Sequence, residues 1–186
     1  MSQITGKVRI SSDLADLIVS SHNTRHALCA AAGALYRHVV CPNKESVLTD
    51  LLPPAYRFEK SGQSVVNQLL GLGLKAFYDR ELLVGAAKTE SIFTRLDSHW
   101  SEVGAALYLR AALNWFKEPC NLDTVRDERF VLGDLAVLAG RGPEQVPTER
   151  PCRPSAAVVY ENAIVNEGHI RHVTSNGRGK ALVITR

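Results

Sequence analysis

Asp97, Ser98, His99 and Trp100 stand in a row, and an acid two positions before a histidine is a pairing with chemical use. In extended backbone, residues two apart project to the same side of the chain. The carboxylate can then bind the imidazole Nδ1–H, fix its tautomer and support the imidazolium that forms when the other ring nitrogen takes a proton. Asp97 and His99 are therefore the candidate catalytic residues, the first as orienting acid, the second as general base and acid. A nucleophile to complete a Ser-His-Asp set is harder to find. The sequence holds no GxSxG elbow. Ser98 is too close to the pair to meet His99 in line. Ser175, in the turn before Asn176-Gly177, is the least poor candidate. The plainer reading of Asp97 and His99 is an acid and a histidine that cap the helix following them.

The elements around the pair follow from periodicity. Asp13 to Ser21 and Thr24 to Leu35 read as two helices, the second with Leu28, Ala31, Ala32 and Leu35 at helical spacing and Gly33 near its end. Tyr36 to Cys41 reads as a buried strand that stops at the Pro42-Asn43 turn. Helix, apolar strand and polar loop in succession are the α/β pattern. In open α/β sheets, ligand sites gather at the carboxyl ends of the strands. Asn43 and Lys44 fall there and are candidate substrate-binding residues, although Asn43 also suits a turn and Lys44 a solvated loop. Ser64 to Leu72 is helical, Leu74 to Tyr78 a short strand, Glu81 to Ala87 helical, and Ser91 to Leu96 a strand leading into Asp97. Ser101 is a good N-cap for a helix that runs towards Pro119, with Val103, Ala106, Leu107, Leu113 and Phe116 on its broad apolar side. Trp100 is a candidate substrate-binding residue; its plainer role is a core aromatic that fixes the loop.

Pro143, Pro147, Pro151 and Pro154 mark Gly140 to Pro154 as an extended loop. Ala156 to Tyr160, Ile170 to Thr174 and Ala181 to Thr185 read as strands. The last of these has the character of a central parallel strand, which normally delivers a loop and a crossover helix. The expectation is a C-terminally truncated domain, with a chain end on an edge strand as the alternative.

With 186 residues, 45% hydrophobic and 22% charged, the chain suits one soluble domain spanning 1–186. A net charge of +3 without any dense Lys/Arg run gives no nucleic-acid footprint. No stretch approaches a membrane span, and the polar start has no signal-peptide core. The cysteines at 29, 41, 120 and 152 form no CxxC pair, which excludes a zinc ribbon or a thioredoxin motif. Cys29 and Cys41 are expected to pack as small apolar residues. His22, His26 and Cys29 share a helix face, but no acidic or further histidine partner has matching spacing; His169 and His172 have the same weakness. No metal and no cofactor is expected.

Several blocks together carry a family likeness. Pro42-Asn43-Lys44-Glu45-Ser46-Val47 followed by Leu52-Pro53, Asp97-Ser98-His99-Trp100 followed by Gly104-Ala105, and Gly133-Asp134-Leu135 occur in this order. The sequence resembles the SGNH-hydrolase-like family of alginate O-acetyltransferases, the AlgX/AlgJ type, from about Arg25 onwards. Lys180 to Arg186 is similar to the strand that precedes that family's nucleophile segment. The resemblance implies a three-layer α/β/α fold with a parallel sheet, incomplete at the C-terminus. It also implies acetyl transfer or hydrolysis on a polysaccharide hydroxyl through an acetyl-serine intermediate. Asp97 and His99 would be catalytic, and the serine would follow Arg186, leaving this chain inactive alone. The implied partners are a polysaccharide acceptor, an acetyl donor and other exopolysaccharide biosynthesis proteins. The implied location is the periplasm, while the amino terminus leaves the cytoplasm open. The rival readings are a non-catalytic carbohydrate-binding or scaffolding module and a cytoplasmic esterase using Ser175.

Overall fold

Two helix-to-strand units frame the first half of the chain. The structure, a computed structural model, describes residues 7–56, 64–117, 124–151, 156–162, 170–175 and 179–184. Helix α1 (Ser12–Ala31) begins at Ser11, whose hydroxyl accepts from Leu14 N–H. It ends where Gly33 takes a positive φ of 70° and Ala34 N–H turns back to Cys29 O at 2.8 Å, the Schellman closure that only glycine enters without strain. The short helix α2 (Lys44–Val47) follows the next extended segment. Helix α3 (Val65–Gly71) closes the same way as α1, with Gly73 at φ 99° and Leu74 N–H on Leu69 O at 3.0 Å. Each closure launches an extended segment, and the two segments pair in parallel at Val39 and Phe77. Phe77 N–H donates to His38 O and Val40 N–H to Phe77 O, both at 2.9 Å.

The remaining elements are α4 (Arg80–Ala86), α5 (Glu102–Trp115), β1 (Thr124–Val131), α6 (Asp134–Leu138), β2 (Glu144–Pro151), β3 (Ala156–Asn162), β4 (Ile170–Ser175) and β5 (Gly179–Ile184). The architecture is mixed α/β. Strands β1 and β2 form an antiparallel two-stranded ribbon, and β3-β4-β5 form an antiparallel meander. The chain divides into two compact units, residues 1–121 with 126–149, and residues 122–125 with 150–186.

The principal core packs Val47, Phe77, Leu83, Ile92, Phe93, Tyr108 and Ala112; a second cluster gathers Ala15, Leu69, Leu74 and Ala76. Tyr108 joins the pieces. Its ring lies against Phe77 and Trp100, while its hydroxyl donates to Val40 O at 2.8 Å and accepts from Asp79 N–H at 3.0 Å. Burial pushes its phenol well above the ordinary range. Glu149 is the notable buried charge: it holds Arg110 of α5 at 2.5 Å and Arg126 of β1 at 3.1 Å, so ion pairs tie the ribbon to the helix.

Several sequence expectations change here. The two helices expected over 13–21 and 24–35 are one, Ser12–Ala31, closed by a Schellman turn at Gly33. The polar stretch His22-Asn23-Thr24 does not break it, because Thr24 Oγ1 donates to Ser20 O at 2.9 Å within the helix and His22 is buried. The strand expected at Tyr36 to Cys41 is a single bridge, and Val39 is exposed. Cys41 is exposed rather than packed, and Cys29 is half-buried. The loop expected over Gly140 to Pro154 contains β2; a two-stranded ribbon leaves each strand an open edge, where proline is tolerated. The last apolar strand is not central and parallel. It is β5, antiparallel to β4 with Ile170 opposite Ile184 and Ser175 opposite Gly179. The topological reason for expecting a crossover directly after it therefore falls away. Neither the parallel sheet nor the three-layer arrangement appears among the described residues. Cys120, Cys152, Pro119, His169, Asn176 and Gly177 lie outside them.

A pH response follows from α1. His22 and His38 stack with ring centroids 5.4 Å apart and their Nδ1 atoms 3.2 Å apart, so one donates and the other accepts. Burial lowers both imidazoles below 6.5. Around His22 the further groups are His26, Lys75 and Arg25; around His38 they are His22 and Arg25, all cations or potential cations. A lowered folded-state value means the stabilisation is complete above about 6.5 and is lost as the pH falls from there through the lowered value. Thermal melting is expected to weaken from pH 7 to pH 5. His38→Asn, which keeps a neutral acceptor near the Nδ1 position, should flatten that slope; an unchanged slope removes this pair as its source.

Candidate active site

The segment after α4 returns on itself. Phe93 and Trp100 pair as an antiparallel bridge, and Asp97-Ser98-His99 lies in the bend between them. The pairing of acid and base thus comes from a turn, not from the extended backbone the sequence suggested. Asp97 Oδ1 accepts from the backbone N–H of His99 at 2.8 Å, as acidic side chains do two residues ahead in Asx turns, and it contacts His99 Nδ1 at 2.7 Å. Asp97 is 16% exposed and His99 79% exposed. Nε2 of His99 has no hydrogen bond among the described residues. A hydrogen-bonded Nδ1 with an open Nε2 is the arrangement of a general base.

Four contacts fix the bend from outside. Trp100 Nε1–H donates to Pro42 O at 2.8 Å, and its ring stands edge-on to Phe93 and Tyr108. Lys44 Nζ reaches the carbonyls of Thr94 at 2.7 Å, Arg95 at 3.1 Å and Asp97 at 2.8 Å. An ammonium has three protons, and each has an acceptor here. Ser101 caps α5 by accepting from Gly104 N–H at 3.0 Å, while its own hydroxyl proton is shared between Ser91 O at 2.5 Å and Ile92 O at 3.0 Å. On the other side Gly133 backs onto the bend, and Ala136 N–H donates to Leu96 O at 3.0 Å.

Asp134 completes the cluster. Its Oδ1 accepts from Ser98 N–H and Leu135 N–H, both at 2.7 Å; its Oδ2 accepts from the Ser98 hydroxyl and lies 3.9 Å from His99 Nδ1. The Ser98 hydroxyl, then the Ser98 and Leu135 N–H groups, hold its carboxyl down to about 2. Asp97, His99 and Asp134 bring ligand-type atoms within 4.8 Å of one another, but their facing atoms are occupied by Ser98 and by one another, which fits an orienting network. His22, His26 and Cys29 do not converge on a common point among the described residues.

No family model matches the sequence, and no curated protein does. Among solved structures the chain is similar to the O-acetyltransferase domain of Pseudomonas putida AlgJ, at 16% identity and a TM-score of 0.57. The likeness is one of fold. It takes in 82% of this chain and 62% of that one, so the chain spans less than two thirds of its neighbour's length.

Of the residues singled out from sequence, Asp97 and His99 are in contact, and Trp100 and Lys44 are brought to the same bend. The carbonyls take the protons of Lys44 and the half-buried ring of Trp100 packs against the core, so both hold the bend in place. Asn43 is exposed at the start of α2, with its carbonyl accepting from Ser46. Sequence reasoning missed Asp134 as a site residue. Its signal was present in the Gly133-Asp134-Leu135 block, which reads as an N-cap and first helical residue but does not say what the carboxylate faces.

Proposed function

We propose that this chain is a polysaccharide O-acetyltransferase-type or acetylesterase-type domain of the SGNH kind, with Asp97 and His99 as the acid–base half of a Ser-His-Asp mechanism. The observation that carries this is the 2.7 Å contact from Asp97 Oδ1 to His99 Nδ1 beneath an open Nε2. The similar fold of an O-acetyltransferase domain supports it. In the reaction, a serine Oγ attacks the acetyl carbonyl as its proton passes to Nε2. The proton then goes to the departing oxygen, leaving an acetyl-serine. A sugar hydroxyl or water, deprotonated by the same nitrogen, takes the acetyl group. Asp97 steadies the imidazolium at both proton transfers. The serine comes from outside the described residues. Exported exopolysaccharide as acceptor, an acetyl donor, partner proteins of exopolysaccharide biosynthesis and a periplasmic location belong to this same reading.

The absence of any described hydroxyl on Nε2 favours one rival, a carbohydrate-binding module that keeps the fold without the chemistry. Titrating the chain with acetylated and deacetylated uronate oligosaccharides, read by calorimetry for affinity and by backbone amide signals across residues 97–101 for position, separates the two. The proposal expects the acetylated form to shift those amide signals more strongly, and His99→Ala to weaken its binding at least about tenfold, or about 1.4 kcal/mol. Binding left intact by both Asp97→Ala and His99→Ala establishes the module instead, and no response to either oligosaccharide overturns both. A fluorophosphonate label on Ser98 or Ser175 would refute the placement of the serine.

A further inference from the structure

We infer that Asp134 is a positioning residue for the Asp97–His99 pair, clamping Ser98 in the bend and setting a second negative charge beside His99 Nδ1. The inference rests on the acid–base reading of Asp97 and His99. The clamp is bidentate: one carboxylate oxygen takes the Ser98 N–H at 2.7 Å and the other takes the Ser98 hydroxyl. Ser98 is the residue between acid and base, so its orientation decides whether Asp97 can meet both the N–H and the ring of residue 99. The helix bearing Asp134 is seated on the same bend. A Cβ on Gly133 would come within 2.1 Å of Leu96 O and 2.8 Å of Asp97 Cβ, and Ala136 N–H donates to Leu96 O. Leu96 N–H is held in turn by Glu144 Oε1 at 3.0 Å. The bend and the start of α6 are therefore built against each other.

The 3.9 Å from Asp134 Oδ2 to His99 Nδ1 gives the carboxylate a second effect. A negative charge at that range attracts a proton handed to the ring. Asp97 orients the ring and Asp134 adds to the field that holds the transferred proton. The hydroxyl at position 98 serves this arrangement as a donor, not as a nucleophile.

The test is the His99 Nδ1–H signal, followed by NMR at fixed pH on the chain without ligand. Asp134→Ala releases Ser98 from the bend, and should shift that signal and speed its exchange with water. Asp134→Asn keeps an acceptor for the Ser98 N–H and should restore most of the parent signal. Ser98→Ala removes only the hydroxyl arm of the clamp and should move the signal less than Asp134→Ala does. Asp97→Asn tests the underlying dyad separately. If it moves the signal while Asp134→Ala does not, the role of Asp134 is overturned and the dyad stands. If neither moves it, the dyad falls with it. Should Asp134→Ala fail to fold, Asp134→Asn and Ser98→Ala decide: signals identical to the parent in both overturn the clamp.

Discussion

Gly133→Ala is expected to lower stability by about 3 kcal/mol and to disturb the His99 signals together with it. The added Cβ would lie 2.1 Å from Leu96 O and 2.8 Å from Asp97 Cβ. The first of these is backbone, already held by Ala136 N–H of the same helix, so no side-chain rotation relieves the clash. Gly104→Ala should cost a similar amount by the same means, its Cβ meeting Ile92 O at 2.4 Å where α5 crosses the buried Ile92. For a chain of this size that corresponds to a fall in melting temperature of about 6–12 °C. The two differ in what else they change: Gly133→Ala moves Asp97, whereas Gly104→Ala acts one step away through the start of α5. Thermal melting with His99 NMR on both variants distinguishes them. A melting temperature within about 2 °C of the parent for Gly133→Ala would show that α6 is not seated on the bend.

Lys44→Met is expected to be the other large effect. It withdraws three donors at once from Thr94 O, Arg95 O and Asp97 O, and leaves those carbonyls with no side chain to replace them. Hydrogen bonds to charged groups contribute about 1.5–3 kcal/mol each, and partial water access to this bend reduces the total to about 3 kcal/mol. Lys44→Arg should rescue little, because a planar guanidinium cannot direct protons to three carbonyls arranged around a point. Urea denaturation of the three proteins checks this. If Lys44→Arg equals the parent, the lysine acts as charge alone and the carbonyl-bridging role is wrong.

What sequence reasoning could read was local. The N-cap at Ser101, the long helix α5 and the proximity of Asp97 to His99 all depend on residues a few positions apart. The reason given for that proximity was incorrect, since strand alternation and an Asx turn both bring residues i and i+2 together, and the letters alone do not separate them. The roles of Lys44 and Asp134 were not legible because their partners are far away in the chain: the carbonyls at 94–97 for Lys44, and Ser98 for Asp134. Lys44 looked like a ligand contact because lysines at strand ends commonly are; three backbone acceptors make it a bracket. Tyr108 is not legible as a link because the broad apolar side of α5 is read from its aliphatic residues, while the Tyr108 hydroxyl serves two segments drawn together only by folding. The prolines of β2 argued for a loop, and two-strand ribbons are where that argument fails. The glycines at 104 and 133 belonged to the family-like blocks, and the structure supplies their physical reason, close backbone approach on either side of the bend.

One carboxylate oxygen of Asp97 serves both the main chain and the ring of residue 99. Acid and base are thus preassembled within three consecutive residues, and a single short peptide loop sets their mutual geometry. A change at position 98, or in the length of this loop, therefore acts on both contacts of Asp97 at once, whereas changes elsewhere in the chain reach them through the brackets at Lys44 and Asp134.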